Sequence, residues 1–176
     1  MIDNDYILEL NLEFNLIKMI RFATKSKSKK DLLPHQRLVE DFDYLAQIQK
    51  KIPILGTIWN VYNFKSNYLL DTHIDSHRTA TLNIPLLGGE DSVTKFYKNQ
   101  NVESTYIKNQ NINLITDKLE ETFRFTLVRP TVIKTDVPHS IKVGKSDRLS
   151  ISWGLVCSFD EAKNYFKYQS DKIYLE

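Results

Sequence analysis

Arg148-Leu149-Ser150-Ile151-Ser152-Trp153 alternates polar and bulky apolar residues along its whole length. Successive side chains of a strand point to opposite faces, so Arg148, Ser150 and Ser152 share one face and Leu149, Ile151 and Trp153 the other. A polar face bearing one arginine, backed by large apolar residues, fits a barrel strand with a ligand inside and a helix outside.

Working outward, the chain from Ile54 to Val156 is a series of short β-rich runs punctuated by Asn, Ser, Asp and Gly-Gly. The runs are Ile54–Phe64, Tyr68–Ile74, Thr79–Leu86, Thr94–Tyr97, Ser104–Ile107, Asn113–Ile115, Phe123–Val128, Thr131–Thr135, Ser140–Val143 and Arg148–Val156. Strands without intervening helices predict a mainly β fold, a sandwich or jelly roll. Ahead of them, Tyr6 to Phe14 reads as a half-buried strand and Leu16 to Phe22 as a short helix. Leu38, Phe42, Leu45 and Ile52 form one stripe of a helix over Pro34–Lys51. Lys25 to Lys30 reads as a solvated loop, and Asn99 to Asn113 as a mobile flap. A last helix is expected from a cap at Asp160, with Ala162, Tyr165 and Phe166 as its stripe.

The 176 residues, 41% hydrophobic and 26% charged, are expected to form a single domain over 1–176. Within it, 1–53 packs on the barrel, 54–156 is the jelly-roll core and 157–176 a C-terminal helix and tail. A net charge of +2 points away from nucleic acid as a partner. No apolar run reaches the roughly 20 residues of a membrane span, and the acidic start lacks the basic region of a signal peptide. With a lone cysteine, Cys157, these features lead us to expect a cytoplasmic protein without a membrane partner.

The chemistry centres on His73-Ile74-Asp75, whose imidazole and carboxylate share one face of a strand. His139 follows Val137-Pro138 at the start of another strand, and Arg148 lies nine residues beyond it. Two histidines and one carboxylate are the facial triad that holds non-haem Fe(II) and leaves open positions. Arg148 could hold a carboxylate through two parallel hydrogen bonds. Arg78 is a candidate contact for an anionic substrate, one of Tyr62 and Asn63 should face the barrel, with Tyr62 the second substrate candidate, and Gly88-Gly89 reads as a turn between strands. His35 reads as a capping or surface residue, and Trp59 and Trp153 as core.

The stretch His73 to Leu86, with Val137-Pro138-His139-Ser140 and Asp147 to Ser152, resembles the Fe(II)/2-oxoglutarate-dependent dioxygenases. The resemblance is nearest to their aspartyl/asparaginyl β-hydroxylase and proline hydroxylase branch. It implies a double-stranded β-helix, a cupin-like jelly roll with supporting N-terminal helices and a short C-terminal one. His73, Asp75 and His139 would hold Fe(II). Arg148, assisted by Ser150, would anchor 2-oxoglutarate as co-substrate beside O2. In the β-hydroxylase branch an Arg and a His on the strand after the first ligand also contact co-substrate or substrate; the corresponding inward positions here are Thr81 and Asn83. Asp75 supplies a carboxylate that some β-hydroxylases lack, which brings the chain nearer the proline-hydroxylase type. The implied reaction is hydroxylation of an amino acid, free or in a peptide or protein, with release of succinate and CO2. The alternatives are a catalytically silent jelly-roll binding or structural module, and a cupin using another metal, against which Arg148 argues. The primary substrate and the oligomeric state stay open.

Overall fold

The computed structural model describes residues 1–26, 36–37, 43–98, 103–108, 110–169 and 173. Among these the strands in chain order are β1 (Ile7–Glu9), β2 (Gln36–Arg37), β3 (Leu55–Phe64), β4 (Leu69–Asp75), β5 (Ala80–Leu87) and β6 (Val93–Tyr97). They continue with β7 (Ser104–Ile107), β8 (Ile112–Ile115), β9 (Glu121–Phe125), β10 (Thr131–Lys134), β11 (His139–Lys142) and β12 (Arg148–Leu155). Three helices accompany them, α1 (Leu16–Ser26), α2 (Asp43–Lys51) and α3 (Phe159–Gln169).

Two antiparallel six-stranded sheets face each other, ordered β1-β10-β5-β12-β3-β2 and β7-β8-β4-β11-β6-β9. From β3 to β6 and again from β9 to β12 successive strands alternate between the sheets, the winding of a jelly roll. The fold is the mainly β jelly roll that the strand pattern predicts. No helix among the described residues is long and apolar enough to cross a membrane.

The parity of β12 decides what each face does. Leu149, Ile151 and Trp153 pack outward with Leu82, Ile84 and Val132 against Met19 and Ala23 of α1, Leu45 and Ile48 of α2 and Ala162 and Phe166 of α3. Each large side chain buried there contributes roughly 1.5–3 kcal/mol, and the buried Trp153 indole donates to Gly56 O at 2.7 Å. Arg148, Ser150 and Ser152 turn inward, and all three are buried. A second cluster, Ile7, Phe96, Phe125, Leu127, Ile133 and Val137, fills space between the sheets.

Local chemistry shifts several boundaries. The N-terminal strand is only Ile7–Glu9: at the next register position the Leu10 amide still donates to Pro130 O at 2.8 Å, but proline has no N–H with which to continue the ladder. Leu10, Leu12 and Phe14 are buried without extending the ladder. The cap of α3 is Ser158 rather than Asp160. Ser158 Oγ accepts from the Glu161 amide at 3.3 Å while Glu161 Oε2 accepts from the Ser158 amide at 2.8 Å, a reciprocal capping box. Helix α1 runs on to Ser26, and the rest of the lysine-rich run lies outside the described residues. So do 34–35, with His35, and 38–42, but Gln36–Arg37 correct the helix expected over Pro34–Lys51: they form β2, hydrogen-bonded to β3 at Val61 and Asn60, and the described helix is Asp43–Lys51. Within 99–113, residues 99–102 and 109 are also outside. Most of the others form the β7–β8 ladder, which pairs with β4 through Asp75↔Ile112, so the expected flap is in part a strand pair beside the site.

Candidate metal and co-substrate site

His73 and Asp75 sit two apart on β4 and face the interior together. His139 opens β11 directly opposite His73 in the antiparallel register, and the two rings lie 4.3 Å apart between centroids. One potential ligand atom from each of the three residues falls within 4.8 Å of the others. All three side chains are buried.

Hydrogen bonds fix which atoms are available. His73 Nδ1 lies 2.7 Å from Asp71 O, and His139 Nδ1 lies 2.9 Å from Val137 O. A carbonyl only accepts, so both Nδ1 atoms carry the proton and both Nε2 atoms are left as unprotonated ligands. Asp75 Oδ2 accepts from Arg78 Nε at 2.7 Å, and Oδ1 lies 3.9 Å from His73 Nε2.

Electrostatics agrees that both rings are neutral. Burial, with repulsion from His139 second, pushes His73 down to about 3. Burial likewise lowers His139. Burial pushes Asp75 upward, but Arg78, then His139 and His73, outweigh it and hold the carboxyl below its ordinary range. The set offers two neutral imidazoles and one ionised carboxylate before any metal arrives.

Thr135 secures the turn that leaves Asp75. Its carbonyl accepts from the Asp75 amide at 3.0 Å and its amide donates to Thr79 O at 2.9 Å. Its hydroxyl donates to Arg78 O at 3.2 Å. The expected role of Arg78 as a substrate contact therefore needs refining, because its side chain is only 9% exposed and its Nε is spent on Asp75. Nη2 reaches the Tyr62 hydroxyl at 3.4 Å, while Nη1 is buried without a partner.

A narrow cavity of about 50 Å³ joins the triad to Arg148, lined also by Tyr62, Thr81, Asn83, Ser150 and Ser152. Arg148 is 3% exposed, and its Nε and Nη1 have no hydrogen-bond partner. Burial lowers its pKa to about 10. Asn83 Nδ2 donates to Thr81 Oγ1 at 2.7 Å, so these two side chains hold each other in the wall. Tyr62 stacks on Phe64 at 5.3 Å, and Phe64 on Tyr68 at 5.0 Å. The structure thus brings every candidate residue to one cavity.

Sequence reasoning missed Thr94, whose buried Oγ1 also lacks a partner in that cavity. Its signal was parity, since Thr94 shares the inward face of β6 with the buried Phe96. Gly88 and Gly89 form the expected turn with φ of 61° and 93°, and Gly89 abuts the aliphatic stem of Arg148.

No protein-family model and no curated protein matches the sequence. Solved structures do match, 43 chains in all. One is a prolyl-4-hydroxylase from Pseudomonas putida, with a TM-score of 0.52 and 12% identity over 85% of this chain and 90% of that one. This likeness is one of fold, and the class it defines is the jelly roll of a prolyl hydroxylase. Within that fold, the His73, Asp75 and His139 group fits an Fe(II) site in donor set, protonation and burial.

Proposed function

We propose that this protein is an Fe(II)- and 2-oxoglutarate-dependent dioxygenase that hydroxylates an amino acid. The observation that carries the reading is Arg148: a buried guanidinium with two unpartnered nitrogens, in the same cavity as a buried His, Asp, His set. An uncompensated buried cation is costly in an empty fold. It is accounted for if a carboxylate belongs beside it.

His73 Nε2, His139 Nε2 and Asp75 Oδ1 would hold the metal. Arg148 would hold the distal carboxylate of 2-oxoglutarate, with Ser150 and the hydroxyl of Thr94 as further donors. When bound, the metal and co-substrate supply the oxidation: O2 and 2-oxoglutarate become succinate, CO2 and the oxygen inserted into a substrate C–H bond. The protein's part is positional. The Asp71 and Val137 carbonyls hold the imidazoles in one tautomer, Arg78 keeps Asp75 ionised, and the aromatic wall of Tyr62 and Phe64 excludes water from the cavity.

Anaerobic titration with Fe(II) and then 2-oxoglutarate tests this without knowledge of the substrate. A saturable visible charge-transfer band that disappears in His139→Ala is expected. No band in folded, metal-loaded protein would refute the reading in favour of a silent jelly-roll module.

A further inference from the structure

The carboxylate of Asp75 has two oxygens, and how many of them a metal uses decides what else it can bind. Gripped by both, the metal would have four protein donors, counting one nitrogen each from His73 and His139. Gripped by one, it would have three, and octahedral geometry then leaves three positions open instead of two. A 2-oxo acid that chelates through its carboxylate and keto oxygens fills two of them. Only the one-oxygen arrangement keeps a place beside it for O2.

The two oxygens of Asp75 are not equivalent. Oδ2 accepts from Arg78 Nε at 2.7 Å, while Oδ1 lies 3.9 Å from His73 Nε2. A guanidinium and a carboxylate frequently pair through two parallel hydrogen bonds, one to each oxygen. Here the grip is single, for Nη2 is turned to the Tyr62 hydroxyl at 3.4 Å and Nη1 is buried without a partner. Arg78 thus takes one oxygen and leaves the other to the imidazoles.

Both ends of this pair are pinned by one residue. The Asp75 amide donates to Thr135 O at 3.0 Å, and the Thr135 hydroxyl donates to Arg78 O at 3.2 Å. The Arg78 and Asp75 side chains are only 9% and 5% exposed. For Asp75 to offer Oδ2 to a metal, a charged hydrogen bond would have to break in a buried site, where its loss is most costly. Arginine also keeps its charge at any pH the fold survives, so the hold on Oδ2 does not lapse.

On the dioxygenase reading, we propose that Arg78 is a positioning residue: by occupying Asp75 Oδ2 it limits the carboxylate to ligation through Oδ1 and keeps open the position that O2 needs beside 2-oxoglutarate. It acts through Asp75 and requires no contact with substrate.

The test uses the full chain, with anaerobic binding of Mn(II) and 2-oxoglutarate to the wild type established first by calorimetry. Mn(II) EPR linewidths in water enriched in the magnetic oxygen isotope then count the waters on the metal. The wild type is expected to hold three with Mn(II) alone and one after 2-oxoglutarate is added. Arg78→Met, which lacks the donor, should hold two and then none. Arg78→Gln is the control, because glutamine Nε2 is bonded to Cδ as arginine Nε is, and can donate to the same oxygen without the charge; it should keep the wild-type counts. Nitric oxide, a stand-in for O2 read by EPR, should bind the Fe(II) and 2-oxoglutarate form of Arg78→Met about tenfold or more weakly than that of the wild type. Two waters on the wild type with Mn(II) alone, or wild-type counts in Arg78→Met, would overturn the inference and leave the metal and co-substrate assignment in place. Equal losses in Arg78→Gln would overturn it by tracing the effect to charge, and an Arg78→Met chain that fails to fold even with Mn(II) present would overturn it by assigning the arginine to the fold. Failure of the wild type to bind Mn(II) or 2-oxoglutarate would instead overturn the dioxygenase reading itself.

Discussion

Replacing Arg148 with methionine should stabilise the metal-free protein and weaken its hold on 2-oxoglutarate at the same time. The guanidinium is 3% exposed, and burial alone lowers its pKa from 12.5 to about 10. A fall of that size corresponds to roughly 3 kcal/mol, at about 1.4 kcal/mol per tenfold change. For a base pushed down by burial the penalty falls on the charged form. It is therefore fully present at neutral pH and is relieved only above about pH 10. Methionine fills much of the same volume without charge. Metal-free Arg148→Met should then be about 1–3 kcal/mol more stable, which raises Tm by roughly 2–4 °C per kcal/mol. Loss of a charged hydrogen-bonded contact worth about 1.5–3 kcal/mol should raise the Kd for 2-oxoglutarate roughly 10- to 150-fold. Urea melts at pH 7 measure the first effect and anaerobic calorimetry the second. An arginine that serves the fold would give the opposite sign in the melts. A destabilised variant, or one with unchanged 2-oxoglutarate affinity, would refute the reasoning.

Asp75→Ala should cost about 3–5 kcal/mol in the metal-free protein, because Arg78 stays buried without its partner, and adding Arg78→Met should recover much of it. A double-mutant cycle with a coupling below about 0.5 kcal/mol would count against the pair. In acid, stability of the metal-free protein should fall as pH drops from about 6.5 toward about 3. His73 stays neutral in the fold down to about 3 while the unfolded chain protonates near 6.5. The slope from His73 alone reaches about 1.4 kcal/mol per pH unit, with His139 acting in the same direction; a urea midpoint that ignores pH over this window would contradict neutral imidazoles. Gly88→Ala should destabilise by more than about 1 kcal/mol, since its φ is 61° and the added Cβ would meet Asp147 O at 2.0 Å. Gly89→Ala, whose Cβ would press on Arg148 Cγ at 3.2 Å, should weaken 2-oxoglutarate several-fold in the same calorimetric assay.

Much of this architecture was legible because period-two alternation records burial directly. Arg148, Ser150 and Ser152 against Leu149, Ile151 and Trp153 told apart the inside and outside of a strand that the structure packs in the same sense. The metal set was legible for the same reason, since His73 and Asp75 are close in sequence. What the sequence could not convey were contacts between distant segments. The three hydrogen bonds of Thr135 to the turn after Asp75 join residues that no local pattern relates. Arg78 illustrates the same limit, because a turn arginine and a buried partner of a metal ligand look alike until β3 and β4, from opposite sheets, are brought to the same cavity. The shortened β1 follows from Pro130 at the edge of its partner strand, a boundary set by pairing rather than by the alternation of Tyr6 to Phe14.

The two imidazoles belong to neighbouring strands of one sheet, whereas Arg148 belongs to the sheet opposite. Face-packed sheets stand about 10 Å apart, and that gap is a dimension of the whole barrel rather than of any one side chain. On the dioxygenase reading it works as a length gauge: a diacid must be long enough to touch the metal from one layer and the guanidinium from the other. Choice of co-substrate is then coupled to the thickness of the apolar core, and repacking Phe96 or Ile133 could retune it without altering a single polar contact.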